Sequence, residues 1–270
     1  MGMISKITTQ KRNTERYNLF INGKYAFSVD ESVLTRFQLR KGLEIDEEDI
    51  HKIQQQDDIR KAINVAVHYL SFRMRSFKEI HDHLKEKEYE EVVIASAMEK
   101  IQELGYVNDL EFAIAYSNTQ RATTDKGPIR IKQELQEKGV RDSFIQQVIE
   151  EYLLDEQVEK AIGIASKIIK KEKKASSLQR KQKVEQSLTR KGYPYSVISI
   201  VHEEVSYEGE ENEAWEALVH QGQKLHQRYS TKYTGYEYEQ RMKQALFRKG
   251  FSIQEIERLL TQLKENESTF

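Results

Sequence analysis

LTRKGY, residues 188–193, reads as the end of a helix, and the chain repeats it at LFRKGF (246–251) and LQEKGV (135–140). LKEKEY (84–89) is a degraded fourth copy. A glycine just past a helix takes the left-handed conformation without a Cβ penalty, and the residue after it packs back onto the last turn. Gly192 lies between Leu188 and Tyr193, Gly139 between Leu135 and Val140, and Gly250 between Leu246 and Phe251, so each apolar pair has the spacing this closure needs. Lys138, Lys191 and Lys249 precede the glycines, where a cation suits the negative end of the helix dipole. Glu88 stands at the glycine position of the first copy, at an expected cost of about 1 kcal/mol.

The four leucines lie about 50 to 60 residues apart, a period that signals tandem structural units. A longer helix precedes each copy, over 59–72, 109–121, 155–171 and 212–228, and an apolar stripe follows each. Ser252 and Glu255 form a capping box before Ile256, Asp142 or Ser143 caps the helix carrying Ile145 and Val148, and Ser196 caps the one carrying Val197 and Val201. GYVND (105–109) ends one unit with Gly105 and opens the next with Asn108 or Asp109 as cap.

The first residues differ. RYNLFINGKYAFSV (16–29) is rich in aromatic and β-branched residues around Asn22-Gly23, the preferred pair of a two-residue hairpin turn. A hairpin is expected there, widened by Ile4–Lys11 as a third strand and leaning on the helices that follow. After a short helix near 31–40, Gly42 breaks the chain and Asp46 caps a helix running toward Leu70. The expected fold is mainly α: an N-terminal β-hairpin or three-stranded element with helices over 1–58, then three-helix repeats over 59–106, 107–154, 155–206 and 207–270. Such repeats form an elongated, curved array in which neighbours stabilise one another.

Composition agrees. Of 270 residues 32% are charged and 38% hydrophobic, which suits several small cores better than one large one. The absence of cysteine excludes disulfides, zinc–thiolate sites and thiol catalysis. No apolar run approaches a membrane span and no signal-peptide core follows Met1, so a soluble, cytoplasmic monomer is expected. Lys6 stands where a myristoylation motif needs Ser or Thr.

No nucleophile–base constellation or glycine-rich phosphate loop is present, and an enzyme is not expected. His81 and His83 are two apart and point to different helix faces, so no metal site, and no cofactor, is expected. His202 with Glu203 and Glu204 has the same weakness.

The sharpest charge feature is KIIKKEKKASSLQRKQK (167–183), with Lys167, Lys170, Lys171, Lys173, Lys174, Arg180, Lys181 and Lys183 against Glu172 alone. Residues 155–206 form the one net-basic segment of an almost neutral chain, so a charge-driven contact with phosphate or acidic protein is expected there. Arg73 and Arg75 in YLSFRMRSFKEI (69–80), and Lys126 and Arg130 in RATTDKGPIRIKQEL (121–135), recur at the linker before the second helix of their units.

YLSFRMRSFKEI, GYVNDLEFAIAY (105–116) and KGPIRIKQELQEKGV (126–140), in this order, resemble the signature of the RecX family, the regulators of the bacterial recombinase RecA. The resemblance covers residues 59–206 closely. Matching positions are Tyr69, Leu70, Arg73, Arg75, Ser76, Gly105, Tyr106, Asp109, Phe112, Lys126, Gly127, Pro128, Arg130, Leu135, Lys138 and Gly139. Asn108, where an aspartate is frequent, and Glu88 depart from the pattern. The resemblance implies a non-enzymatic protein of three-helix repeats that binds the RecA–DNA filament along its groove. It implies inhibition of the recombinase's ATPase, strand exchange and coprotease activities, hence roles in recombination, DNA repair and the SOS response, with single- or double-stranded DNA as a further partner. The rival reading is a stand-alone single-stranded DNA-binding repeat protein that stacks bases on Tyr229, Tyr233, Tyr236 and Tyr238.

Overall fold

The structure, a computed structural model, describes residues 1–208 and 211–267. It is mainly α-helical, with tandem three-helix repeats behind a small antiparallel sheet. Packing divides the chain into two units, Met1–Ala115 with Leu135–Ile145, and Tyr116–Glu134 with the chain from Gln146 onward.

The N-terminal unit opens with β1 (Gly2–Thr9), β2 (Arg16–Ile21) and β3 (Lys24–Asp30), then α1 (Glu31–Arg36), β4 (Glu44–Ile45) and α2 (Glu47–Leu70). The sheet order is β3-β2-β1-β4, so the expected three strands gain a two-residue fourth. Asn22 and Gly23 have φ of 48° and 81°, the left-handed pair that the hairpin turn requires. The short helix ends at Arg36, earlier than expected. Ile4, Leu19, Val29, Val33 and Ile45 bury the inner face of the sheet against Ile53 of α2.

Asp46 caps α2 through a reciprocal capping box with Asp49. The helix is continuous through residues 58 and 59, and serves the sheet with its first half and the first repeat with its second. Asp57, 2% exposed, ties the two functions together. It pairs with Arg16 at 2.7 Å and Lys61 at 3.0 Å, and accepts the Asp30 N–H at 2.8 Å. Burial opposes its ionisation, but these three donors reverse the sign and hold its pKa below the ordinary value.

The first repeat combines the end of α2 with α3 (Phe77–Glu86) and α4 (Glu91–Glu103), around Ala62, Ala66, Ile80, Leu84, Ile94 and Ile101. Next come α5 (Asp109–Thr123), α6 (Pro128–Glu137) and α7 (Asp142–Glu150). Asn108 caps α5, while Asp109 turns back to accept the Phe77 N–H at 2.8 Å.

In the C-terminal unit, α8 (Leu154–Lys171), α9 (Ser177–Lys191) and α10 (Tyr195–Glu204) form one repeat, and α11 (Glu211–Tyr229), α12 (Gly235–Arg248) and α13 (Ile253–Glu267) the next. Their cores centre on Val184, Leu188 and Val197, and on Leu218, Leu246 and Ile256. Ser252 and Glu255 form the expected capping box. Ser196 does not cap α10. The helix starts two residues earlier than that cap would place it, with Pro194 at the N-cap and no side-chain bond, because an extended proline already leads into Tyr195.

All four helix ends close as their sequences require. The N–H after the left-handed residue bonds back to the leucine carbonyl in each: Tyr89 to Leu84, Val140 to Leu135, Tyr193 to Leu188 and Phe251 to Leu246, at 3.0–3.3 Å. Glu88 manages this with φ of 63°.

The glycines have a second reason. Each lies against the start of the second helix of the preceding repeat. A Cβ on Gly139 would stand 2.7 Å from Lys78 Cβ, one on Gly192 would strike the Arg130 backbone nitrogen, and one on Gly250 would strike Leu178 Cβ. Donors at those helix starts take up the carbonyls freed at the docked ends. Ser76 Oγ donates to the Lys138 carbonyl at 2.7 Å, Ser176 Oγ to that of Lys249, and the Gly127 and Ile129 N–H groups to Lys191 and Gly192 at 2.8 and 3.0 Å. The end at Glu88 instead borders an open groove lined by His51, Gln54 and Asp58 of α2. Glu88 is exposed, so its side chain is sterically acceptable there.

Candidate partner-binding surface

The expected cations occupy three different settings. Arg73 Nη2 pairs with Glu79 at 2.9 Å, and Arg75 lies 4.0 Å over the Tyr69 ring, which stacks on His83 at 3.9 Å. Glu79 also receives Lys138 at 2.9 Å and the Ser76 N–H at 3.1 Å. Burial opposes ionisation of Glu79, but bonds from Arg73, Lys138 and Ser76 outweigh it and hold its pKa at about 2. Arg73 is therefore tied to the joint that docks the Lys138-Gly139 end.

Lys126 and Arg130 converge on one carboxylate, Glu134, at 2.7 and 3.3 Å, and Tyr116 donates to it at 2.8 Å. Burial pushes Glu134 up, yet Lys126, Tyr116 and the Arg130 charge bring its pKa below the ordinary carboxylate value. Two cations thus share one anion, which leaves a net positive corner at the start of α6.

The basic run splits. Lys170 and Lys171 are exposed in the last turn of α8 and, with Lys174, make no ion pair among the described residues. Lys173 and Lys181 are also exposed, and Lys183 pairs with Glu172 at 2.5 Å. Arg180 faces inward at 3% exposure. Its guanidinium donates to the carbonyls of Glu172 at 3.1 Å, Lys173 at 3.0 Å and Tyr207 at 3.4 Å. It closes the end of α8 and holds the following loop, so its charge is spent inside the fold.

The four tyrosines do not make a stacking platform. Tyr229 meets Tyr233 edge-on at 6.0 Å, Arg241 covers Tyr233 at 4.0 Å, and Tyr238 shares a hydrogen bond with His226 at 2.8 Å. Tyr236 alone of the four is widely exposed, at 78%. His81 bonds Glu91 while His83 stacks on Tyr69, and no three His, Cys, Asp or Glu gather to hold a metal among the described residues. No helix among them is long and apolar enough to cross a membrane.

Sequence reasoning missed His220, Gln221 and Lys224 on α11, which face Gln182, Lys183 and Gln186 of α9 across a groove. The spacing of 182, 183 and 186 on one helix face was readable, but the facing residues are distant in sequence and uncharged amides carry no signal.

Comparison with known proteins places these observations. The RecX N-terminal domain model matches residues 2–46, and the first and second RecX three-helix domains match 62–100 and 108–149. The third three-helix domain matches both 155–201 and 211–260. The regulatory protein RecX of Bacillus velezensis is 46% identical over 261 residues, covering 96% of this chain and 98% of that protein. RecX of Bacillus subtilis is 44% identical with the same coverage. A crystal structure of regulatory protein RecX superposes with a TM-score of 0.68 at 36% identity, covering 75% of this chain and all of that one. RecX from Lactobacillus salivarius gives 0.53 at 34% identity, over 55% of this chain and 97% of that one.

Proposed function

Because the chain belongs to the RecX family, we propose that it regulates the RecA recombinase by binding the RecA–DNA filament along its groove and limiting recombinase activity. It acts in recombination and DNA repair without catalysis of its own. The observation that carries this reading is the recurrence of cations at one position of successive repeats, the joint before the second helix. Arg73 and Arg75 stand there before α3, Lys126 and Arg130 at the start of α6, and Lys170, Lys171 and Lys174 before α9.

Each contact by itself is weak. Linked in one chain, every contact raises the effective concentration of the next, which suits a partner that is itself a repeating polymer. The third cluster offers most, because Lys170, Lys171 and Lys174 have no internal anion to surrender among the described residues. It contacts acidic recombinase surface or bound DNA, and the docked chain bars incoming duplex from the groove.

A mobility-shift series with single-stranded DNA, bare and then coated with RecA, tests the proposal. The chain is expected to bind the coated form more tightly, and reversing Lys170, Lys171, Lys173 and Lys174 to Glu should weaken that binding and flatten its salt dependence. Equal binding by the reversed variant would remove the charge contact, and no preference for the coated form would remove the filament.

A further inference from the structure

Between α9 and α11 runs a groove of about 430 Å³ lined mainly by polar and cationic side chains. Gln179, Gln182, Lys183 and Gln186 line it from α9 at the three- and four-residue spacing of one helix face. His220, Gln221 and Lys224 face them from α11, and Lys174 reaches in from the loop, where the Gln221 amide donates to the Lys174 carbonyl at 3.1 Å. Against three lysines there is one carboxylate, Glu172, already paired with Lys183. Burial, together with the charges of Lys224 and Lys174, lowers the His220 pKa, as expected where cations converge on one space.

Two other grooves carry the opposite sign. The one at the Ser176–Lys249 joint is lined by Glu208 and Glu255, and its one cation, Arg180, is committed to carbonyls. The groove beside Glu88 holds Asp58 and Glu90 as well. The cationic lining therefore sets the α9–α11 groove apart from these two.

We propose that this groove binds the phosphodiester backbone of a nucleic acid. Lysines neutralise phosphates, and glutamine amides and a neutral imidazole donate to phosphate and sugar oxygens, the contacts that make up most of a protein–nucleic acid interface. An acidic peptide fits less well. The groove contains no arginine, whose fork matches a carboxylate, and Ala175 is its one apolar residue, which leaves no pocket for a peptide's anchoring side chain. The absence of Phe, Tyr and Trp from the lining makes the backbone, and not stacked bases, the bound part. The inference deepens the filament reading and rests on it for its setting, but its test uses no recombinase, so either can fail alone.

The test is fluorescence anisotropy of the full chain with a labelled oligonucleotide, single-stranded and then duplex, from 50 mM salt upward. The variant combines Lys183→Ala and Lys224→Ala, with Lys85→Ala plus Lys100→Ala as a pair of equal charge outside the groove, and far-UV circular dichroism confirms that all three proteins fold. Salt-dependent binding of either nucleic acid is expected. The groove pair should lower the log–log salt slope by about 1.4 for a single strand, equivalent to roughly 25-fold in affinity at 0.1 M salt. The outside pair should leave both unchanged. Three results would each overturn the assignment: no binding by the unaltered chain, an equal loss in the outside pair, or displacement of the oligonucleotide by polyglutamate at equal charge concentration.

Discussion

Replacing Gly192 by alanine separates the two reasons a glycine stands there. Its φ of 86° costs an L-residue about 1 kcal/mol by itself. The new Cβ would also strike the Arg130 backbone nitrogen and stand 2.7 Å from Arg130 Cβ, and a helix backbone cannot swing aside as a flexible side chain can. Overpacking of that kind adds about 1–3 kcal/mol, and the stiffer unfolded chain returns only about 0.4–1. The expected loss for Gly192→Ala is about 2–3 kcal/mol. Gly105 supplies the control: its φ of 72° is just as left-handed, but nothing lies within 4 Å of its Cβ position, so Gly105→Ala should cost only about 1 kcal/mol. Glu88→Gly relieves the same backbone strain with no steric change and should stabilise slightly. Urea unfolding followed by far-UV circular dichroism measures all three, with m-values checked for constancy. If Gly192→Ala is no worse than Gly105→Ala, the docking explanation is wrong and the glycines serve only to close their own helices.

Arg180→Ala removes a buried guanidinium from three carbonyls and should cost about 3 kcal/mol in a thermal melt, whereas Lys170→Ala with Lys171→Ala should stay within about 0.5. Glu79 and Asp57 both ionise below their ordinary values, so the folded state holds fewer protons than the unfolded. Their contribution is complete above about pH 4.5 and is lost on acidification, for Glu79 as pH falls toward 2. Glu79→Gln should remove part of that acid dependence, seen as a shallower slope of stability against pH. Lys126 and Arg130 share Glu134, so either alanine variant alone should leave the carboxylate paired, and the double variant should lose more stability than the sum of the singles.

What the sequence disclosed follows the range of the interactions involved. The glycine closures span six residues, the Asn22-Gly23 turn two, and the capping boxes at Asp46 and Ser252 four, so each was readable from its own segment. The joints were not, because Ser76 finds Lys138 and Ser176 finds Lys249 only after the intervening helices have packed. β4 is too short to show any alternation. Arg180 was readable in principle: it stands four residues before Val184 and eight before Leu188, on the buried stripe of α9, but the density of lysines around it hid that register. The opposite error occurred at Ser196, where a good capping residue stood one place inside a helix already begun behind Pro194.

The most direct measurement of the regulatory claim is the rate of single-stranded-DNA-dependent ATP hydrolysis by RecA as this protein is titrated in. The expected result is a rate that falls with added protein, and falls less with the variant in which Lys170, Lys171, Lys173 and Lys174 are reversed to Glu. A rate unchanged at molar excess over RecA would contradict it.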